Sequence, residues 1–311
     1  MTASPSFLWD LSDLEDQHGR TAVVTGATSG LGLVVARELA RRGAHVVVAA
    51  RDPAKAARVL PAIALADAAG TVEVRRLDTA SLESIVAFVA GLERDDVRLD
   101  VLVNNAGVSV PTFELGPDGL ERTYATNVVG PAVLAERLLP RLVGPAPRVV
   151  LVGSNLSQRS RRVPDLDAVD DPARYHQLRA YTSSKVAAAA AAADLADRLR
   201  AAGSPVRSVI AHPGIAATAM SQQGGNPAAR VGAVVAGLLA RPVEDGARPI
   251  LWAATAAEVE EQTFVGPRLS RRDRRLHPAP VRGAAADPGF RRRVRAFVAE
   301  RGGLPLQESV R

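Results

Sequence analysis

Short apolar runs alternate with longer amphipathic segments over roughly the first 215 residues of this 311-residue chain. The runs are rich in β-branched residues and almost continuously apolar, which is typical of strands covered on both faces. The pattern predicts strands at Thr21–Thr25, His45–Ala50, Thr71–Leu77, Val101–Asn104, Arg148–Val152 and Val206–Ala211. Between them it predicts helices at Leu31–Arg42, Pro53–Ala69, Ser81–Arg94, Gly119–Val143 and Arg179–Ala202.

This alternation predicts an α/β fold: a single domain on a doubly wound parallel sheet with helices on both faces. The polar segment 155–178 is predicted to be an inserted loop, and turn-forming residues near 219–240 predict a substrate lid. Further helices are predicted at Ala228–Leu239, Val243–Ala257 and Pro288–Ala299. We expect an N-terminal extension at 1–18, the main domain at 19–260 and a basic extension at 261–311.

Composition removes several kinds of chemistry. The absence of cysteine excludes disulfides, thiol nucleophiles and zinc sites built on cysteine. The five histidines are scattered without a ligand spacing, so no metal is expected. Neither a signal peptide nor a long apolar segment is evident, which predicts a cytoplasmic chain with no membrane partner.

The cations are unusual because, of 39 Lys and Arg residues, only Lys55 and Lys185 are lysine. The arginine excess fits either a nucleic-acid surface or a biased background composition. Aromatic residues that could stack on bases are sparse near the basic tail, so we expect no nucleic-acid partner.

A glycine-rich loop follows the first predicted strand, reading Thr25-Gly26-Ala27-Thr28-Ser29-Gly30-Leu31-Gly32. Glycine allows a tight turn and a close approach of the backbone to a pyrophosphate, and the following helix offers unpaired N–H groups to the anion. A tight turn without ligand would share these glycines, but the position between strand and helix favours a dinucleotide site. The expected cofactor contacts are Gly26, Thr28, Ser29, Gly30, Leu31 and Gly32.

Of three tyrosines, only Tyr181 has a lysine, Lys185, four residues further on. Residues at this spacing share a helix face. Carbonyl reduction needs a proton donor, and a phenol is a poor one at neutral pH. An ammonium about 5 Å away would lower the phenol pKa by roughly two units. The pair therefore predicts a general acid/base site.

The loop and the Tyr181–Lys185 pair resemble the short-chain dehydrogenase/reductase family over roughly residues 15–260. Other motifs follow in family order: Asn104-Asn105-Ala106-Gly107, Asn127, Ser154, Pro213-Gly214 and Thr218. The long interval from Ser154 to Tyr181 looks most like that of retinol-dehydrogenase-type and related bacterial oxidoreductases. The resemblance implies NAD(P)(H)-dependent interconversion of a carbonyl and an alcohol by hydride transfer.

It also implies a role for each matched residue. Tyr181 would be the acid or base, and Lys185 would lower its pKa and bind the nicotinamide ribose. Ser154 would bind the substrate oxygen, although Ser157 and Ser160 are rivals, and Asn127 would hold a relay water. Further implied cofactor contacts are Asp78 on adenine, Asn104, Ala106 and Gly107 in the cleft, and Pro213, Gly214 and Thr218 near the nicotinamide. Asn105 is expected to brace the sheet, and Asp78 is alternatively a helix cap near Ser81.

The end of the second predicted strand indicates which dinucleotide is preferred. Asp52 precedes Pro53 and is expected to cap a helix, because proline favours the first helical position. Ala50 offers no carboxylate for a ribose hydroxyl, which leaves Arg51 for the 2′-phosphate. We therefore predict that NADP(H) is preferred, with NAD(H) possible.

Two other functions stay open: a catalytically silent NADP-binding regulator, and a sugar-nucleotide epimerase or dehydratase. The second usually has a different glycine spacing and a larger C-terminal domain. The substrate is expected to be a small molecule, by resemblance a bulky hydrophobic ketone, aldehyde or alcohol, held by Val108–Glu114, Asn155–Leu178 and Ala219–Pro227. The alanine run Ala187–Ala193 suits close helix packing, and a homodimer or homotetramer is possible.

Overall fold

The computed structural model describes residues 6–64, 68–214, 242–257, 259, 263–268 and 273–305. The strands are β1 (Phe7–Leu8), β2 (Thr21–Thr25), β3 (His45–Ala50), β4 (Thr71–Arg76), β5 (Val101–Asn104), β6 (Arg148–Val152), β7 (Arg207–Ala211), β8 (Thr263–Val265), β9 (Arg275–Leu276) and β10 (Ala279–Pro280). The helices are α1 (Gly30–Arg41), α2 (Pro53–Ile63), α3 (Leu82–Arg94), α4 (Arg122–Tyr124), α5 (Gly130–Leu138), α6 (Asn155–Arg159), α7 (Gln177–Ala201), α8 (Val243–Thr255) and α9 (Pro288–Gly302). A π-helical turn, Ala125–Val129, joins α4 to α5.

Eight of the described strands form a main sheet in the order β10-β8-β7-β6-β5-β2-β3-β4, and β1 and β9 pair in a separate two-stranded sheet. Neighbouring strands run parallel except at the edge, where β10 is antiparallel to β8. The chain returns from β4 to β5 on the other side of β2, so the connections wind in both directions from β2. A crevice for ligands forms where such a strand order reverses. The predicted α/β, doubly wound parallel sheet is confirmed.

Helices cover both faces of this sheet. Alternate residues of β5 point to opposite faces, with Leu102 in one apolar core and Val103 in the other. The first core includes residues of α3, α5, α7 and α9, whereas the second includes residues of α1 and α8. The strands β2, β3, β5, β6 and β7 are therefore largely buried on both sides, as their continuous apolar runs predict, whereas the edge strand β4 is only partly covered.

The structure differs from the predicted elements mainly outside the parallel strands. The predicted 155–178 loop begins with α6, and the predicted helix Gly119–Val143 is shorter at both ends. The sheet continues beyond residue 260, because β8 pairs with β7. The predicted lid and the predicted helix Ala228–Leu239 lie outside the described residues. No helix in the described ranges is long and apolar enough to cross a membrane.

Gly130 tests the packing that fixes the π-helical turn. A Cβ atom at this position would overlap the Thr79 carbonyl oxygen, which is backbone and cannot swing aside. We expect Gly130→Ala to lower the free energy of unfolding by about 1–3 kcal/mol, measured by chemical denaturation. Gly91→Ala is the control, since only flexible arginine side-chain ends lie within 4 Å of its Cβ position. Equal losses in the two variants would contradict the expectation.

Candidate active site

The glycine-rich loop connects β2 to α1 at the carboxyl edge of the sheet. Gly26 and Gly30 have φ angles of +66° and +55°, which glycine adopts without a steric cost. The Ser29 side chain makes no capping hydrogen bond to α1, so the first amides of this helix are not occupied by that hydroxyl. A partly exposed loop before an uncapped helix N-terminus fits a pyrophosphate.

Hydrogen bonds between β2 and the segment after β5 hold this loop. The Thr25 hydroxyl accepts from the N–H groups of Asn105 (3.0 Å) and Ala106 (2.9 Å). The Asn105 side chain donates to the carbonyls of Thr25 (2.8 Å) and Gly26 (3.2 Å). A Cβ atom on Gly32 would overlap the same Asn105 amide. Asn105 thus braces the loop directly, and Thr25, which was not among the predicted site residues, is its partner.

Asn104 points to the other face of the sheet. Its side-chain amide donates to the Pro131 carbonyl of α5 (3.1 Å) and lines a cavity between α5 and α7. Its buried Oδ1 has no hydrogen-bond partner. Any contact of Asn104 with a cofactor at the glycine loop would therefore come from its backbone, and its predicted role in the cleft stays a prediction.

Cationic side chains stand at the end of β3. The Asp52 carboxylate accepts from the Lys55 N–H (3.0 Å) and caps α2, and this bond lowers the pKa of Asp52. Arg51 is exposed and makes no hydrogen bond or ion pair with a described residue. Arg76, the last residue of β4, lies opposite Ala50 in the sheet register and is also exposed. The sequence reasoning missed Arg76, which strand register alone reveals.

Asp78 does not cap α3. The cap is Ser81, whose hydroxyl accepts from the Ser84 N–H (3.2 Å). One carboxylate oxygen of Asp78 accepts from the Ala80 N–H (3.0 Å). The backbone N–H of Asp78 donates to the Ser84 hydroxyl (2.9 Å). The second carboxylate oxygen has no hydrogen bond to a described residue, which leaves it available for the predicted adenine contact.

Ser154 and Tyr181 meet at the carboxyl end of β6. Ser154 caps α6, and its hydroxyl faces the Tyr181 phenol on α7. Burial raises the pKa of Tyr181, and the nearby Ser154 hydroxyl partly offsets this rise. The two alternative hydroxyls donate to backbone carbonyls instead. Ser157 donates to the Ser154 carbonyl (2.7 Å), and Ser160 donates to the Arg162 carbonyl (3.3 Å).

Lys185 lies one helical turn beyond Tyr181 and is buried. Its ammonium donates to the Val152 carbonyl (3.0 Å) and stands 5.9 Å from the centre of the Tyr181 ring. Burial lowers the pKa of Lys185 to about 8. The pKa of Tyr181 is raised rather than lowered here, because desolvation of the phenol dominates. The role of Lys185 in lowering that pKa stays a prediction.

Asn127 sits in the π-helical turn and is 2% exposed. Its side chain accepts from the Val108 N–H (2.8 Å) and donates to the Val108 carbonyl (2.9 Å) and to the Ser184 hydroxyl (3.0 Å). The amide therefore links the segment after β5 to α7. Its predicted relay water stays a prediction.

The segment after β7 completes the described edge. The Gly214 N–H donates to His212 Nδ1 (3.2 Å), and Gly214 has a φ of +73°. Pro213 and Gly214 thus follow β7 at the same edge as Ser154, which follows β6. Thr218 lies outside the described residues. No cluster of candidate metal ligands occurs in the described parts of the chain.

A dinucleotide-binding α/β protein with a tyrosine and a lysine beside the crevice is the class that this geometry defines. A family model, short chain dehydrogenase, matches residues 20–166. Polyprenol dehydrogenase of Mus musculus is 35% identical over 288 residues, or 90% of this chain and 83% of that protein. Retinol dehydrogenase 13 of Homo sapiens is 32% identical over 247 residues, or 78% of this chain and 74% of that protein.

Solved structures agree. An uncharacterized Mycobacterium paratuberculosis protein matches with a TM-score of 0.78 and 35% identity, over 97% of this chain and 100% of that chain. A Beutenbergia cavernae protein is described as an NAD(P)-dependent gluconate 5-dehydrogenase with bound NADP. It gives a TM-score of 0.60 and 28% identity, over 78% of this chain and 92% of that chain. This chain belongs to the short-chain dehydrogenase/reductase family, whose members are NAD(P)(H)-dependent oxidoreductases.

Asn105 and Asn104 offer a paired test of the loop. Asn105→Asp places a carboxylate against the carbonyls of Thr25 and Gly26, so we expect NADPH affinity to fall at least about tenfold, since buried unpaired charges are costly. Asn104→Asp disturbs the opposite face and should leave NADPH affinity within about threefold, although both variants lose stability. Fluorescence titration measures the affinities. Equal losses of affinity would refute this division of roles.

Proposed function

We propose that this protein interconverts an alcohol and a ketone or aldehyde by NADP(H)-dependent hydride transfer, with Tyr181 as general acid/base. The observation that carries the proposal is the Lys185 ammonium, which stands 5.9 Å from the centre of the Tyr181 ring, with the Ser154 hydroxyl facing the same phenol. The glycine-rich loop lies along the same carboxyl edge of the sheet.

The described residues divide the chemistry between them. Bound NADP(H) supplies or accepts the hydride. Tyr181 donates its phenolic proton to the substrate oxygen in reduction and takes a proton back in oxidation, while Ser154 fixes that oxygen by a hydrogen bond. Below its pKa of about 8 Lys185 is positively charged. A positive charge favours the phenolate that Tyr181 becomes, so it assists the proton transfer.

The cofactor preference rests on the cations beyond β3. Arg51 is exposed and makes no hydrogen bond or ion pair with a described residue, and the neighbouring carboxylate, Asp52, is engaged in capping α2. Arg76 adds a second exposed cation at the same edge. An arginine at this position accommodates the 2′-phosphate of NADP, whereas NAD-binding proteins present an acid. NADP(H) is thus the proposed cofactor.

An apolar substrate is supported by exposed apolar side chains close in sequence to Ser154 and Tyr181. Leu156 lies two residues after Ser154, Leu178 lies three residues before Tyr181, and Val163 lies in the intervening segment; all are more than one third exposed. Two relatives carry names that specify isoprenoid alcohols, polyprenol and retinol. We therefore propose a hydrophobic, isoprenoid-like alcohol or aldehyde. Cytoplasmic location and self-association stay predictions.

Tyr181→Phe tests the reaction. It retains the ring but removes the transferable proton, so we expect kcat for the reduction of an apolar aldehyde to fall by about 100-fold or more. Tyr124→Phe is the matched control, because the buried Tyr124 hydroxyl has no hydrogen-bond partner among the described residues. NADPH oxidation is followed by absorbance. If neither variant nor the parent protein consumes NADPH with any aldehyde or ketone, although NADPH binds, the regulator interpretation is favoured.

Arg51→Asp tests the cofactor. The change removes the positive charge beside the proposed 2′-phosphate site, so we expect KM for NADPH to rise at least about tenfold while KM for NADH changes little, since charged hydrogen bonds contribute about 1.5–3 kcal/mol. Arg58→Asp makes the same charge change at another exposed position, on α2, and should affect both cofactors weakly. Comparable losses for NADPH and NADH in Arg51→Asp would argue against the assignment.

A further inference from the structure

A segment from the C-terminal region lies against the short helix that Ser154 begins. We call residues 279–286, which comprise β10 and the 3₁₀ turn Gly283–Ala286, the C-terminal clamp. Gly283 has a φ of +66°, and a Cβ atom there would overlap the Ser160 carbonyl at the end of α6. The N–H of Ala284 donates to that same carbonyl (2.8 Å). The backbones of clamp and helix are thus in direct contact.

Gln158 is the side chain that joins the two. Its amide nitrogen donates to the Pro280 carbonyl (3.3 Å), and its amide oxygen accepts from the Arg282 N–H (2.7 Å). A single side chain therefore binds the clamp in the manner of a strand backbone, with one donor and one acceptor. The Gln158 side chain itself makes no hydrogen bond to Ser154 or Tyr181 in the described structure.

The clamp is anchored to elements that are themselves fixed. Ala279 pairs with Phe264 of β8, which belongs to the main sheet. Arg291 of α9 donates to the Ala285 carbonyl (2.9 Å) and forms an ion pair with Asp197 of α7 (2.7 Å). Helix α6, in contrast, has only five residues, and a helix that short is not stable without tertiary contacts. Its position depends on what packs against it.

We propose that Gln158 is a positioning residue: by holding α6 on the C-terminal clamp, it sets the place of the Ser154 hydroxyl against Tyr181. The inference rests on the proposed function, in which these two hydroxyls meet the substrate oxygen. Loss of the clamp contact shifts α6 and moves the Ser154 hydroxyl away from the Tyr181 phenol. That hydroxyl lowers the pKa of Tyr181, so its displacement has a spectroscopic signature that general destabilisation does not share.

The signature can be read directly because the chain has only three tyrosines. With ¹³Cζ-labelled tyrosine, Tyr181→Phe identifies the Tyr181 resonance, and alkaline titration of the folded protein gives its pKa. We expect Gln158→Leu to raise the Tyr181 pKa in the same direction as Ser154→Ala. Gln158→Glu keeps the acceptor for the Arg282 N–H and should fall between Gln158→Leu and the parent protein.

Gln17→Leu is the matched control. Gln17 also donates, to the carbonyls of Glu15 (3.1 Å) and Asp16 (3.0 Å), and accepts from Arg20 (2.9 Å), but it lies before β2. Its loss should lower stability and leave the Tyr181 titration unchanged. In turnover, we expect Gln158→Leu to lower kcat about tenfold with NADPH affinity unchanged. Misplacing a reacting group by about 1 Å can cost about 100-fold in rate, and a smaller displacement of Ser154 costs less.

An unchanged Tyr181 titration in folded Gln158→Leu, or an equal shift in Gln17→Leu, overturns the positioning role. Failure of the proposed function is a separate result, seen as a parent protein that binds NADPH but reduces no aldehyde or ketone. The titration needs no substrate, so it decides the role of Gln158 in either case.

Discussion

The geometry of the site depends on the hydrogen bonds between Thr25 and Asn105, which join the glycine-rich loop to the segment after β5. β2 and β5 are neighbours whose connections leave on opposite faces, so the segments after them separate and open a crevice. The Asn105 amide spans that opening to two carbonyls of the glycine loop, and the Thr25 hydroxyl returns two hydrogen bonds. Three residues on, Val108 binds Asn127, which in turn binds α7. Cofactor loop and catalytic helix are thus connected by one continuous set of polar contacts.

Desolvation dominates the electrostatics of the catalytic pair. Burial raises the pKa of Tyr181 and lowers that of Lys185 to about 8, so both groups shift toward their neutral forms. A Coulomb argument from the i,i+4 spacing considers only the attraction between the charged forms and omits the loss of water. An anionic dinucleotide beside Lys185 would favour its charged form. Binding of the cofactor and activation of the acid would then be coupled through the charge of Lys185.

The parallel strands could be predicted closely because their signal is local: the bounds of β2, β3, β5 and β6 match the apolar runs. The Asp52 cap followed from proline at the next position. Short elements such as α6, β8 and β10 escaped, since two to five residues carry no period and form through distant partners. In the site, helix spacing paired Tyr181 with Lys185, while the family resemblance and a strand end predicted that Ser154 faces the same cavity. Local patterns do not show which face of the sheet Asn104 points to, which carbonyl Lys185 binds, or which residue lies opposite Arg76. All three depend on tertiary packing.

The contacts of the arginine-rich C-terminal segment show that it packs against the domain. Arg291 and Arg301 of α9 form ion pairs with Asp197 (2.7 Å) and Asp170 (2.8 Å), while Phe290 and Val294 are buried in the core shared with α7. Exposed ion pairs contribute little, but Arg291 is only about one tenth exposed and also binds a carbonyl. Apolar burial therefore supplies most of the docking energy, and the arginines fix its register. Because α7 carries Tyr181 and Lys185, a tail that composition alone marks as a basic surface is part of the frame that holds the catalytic pair.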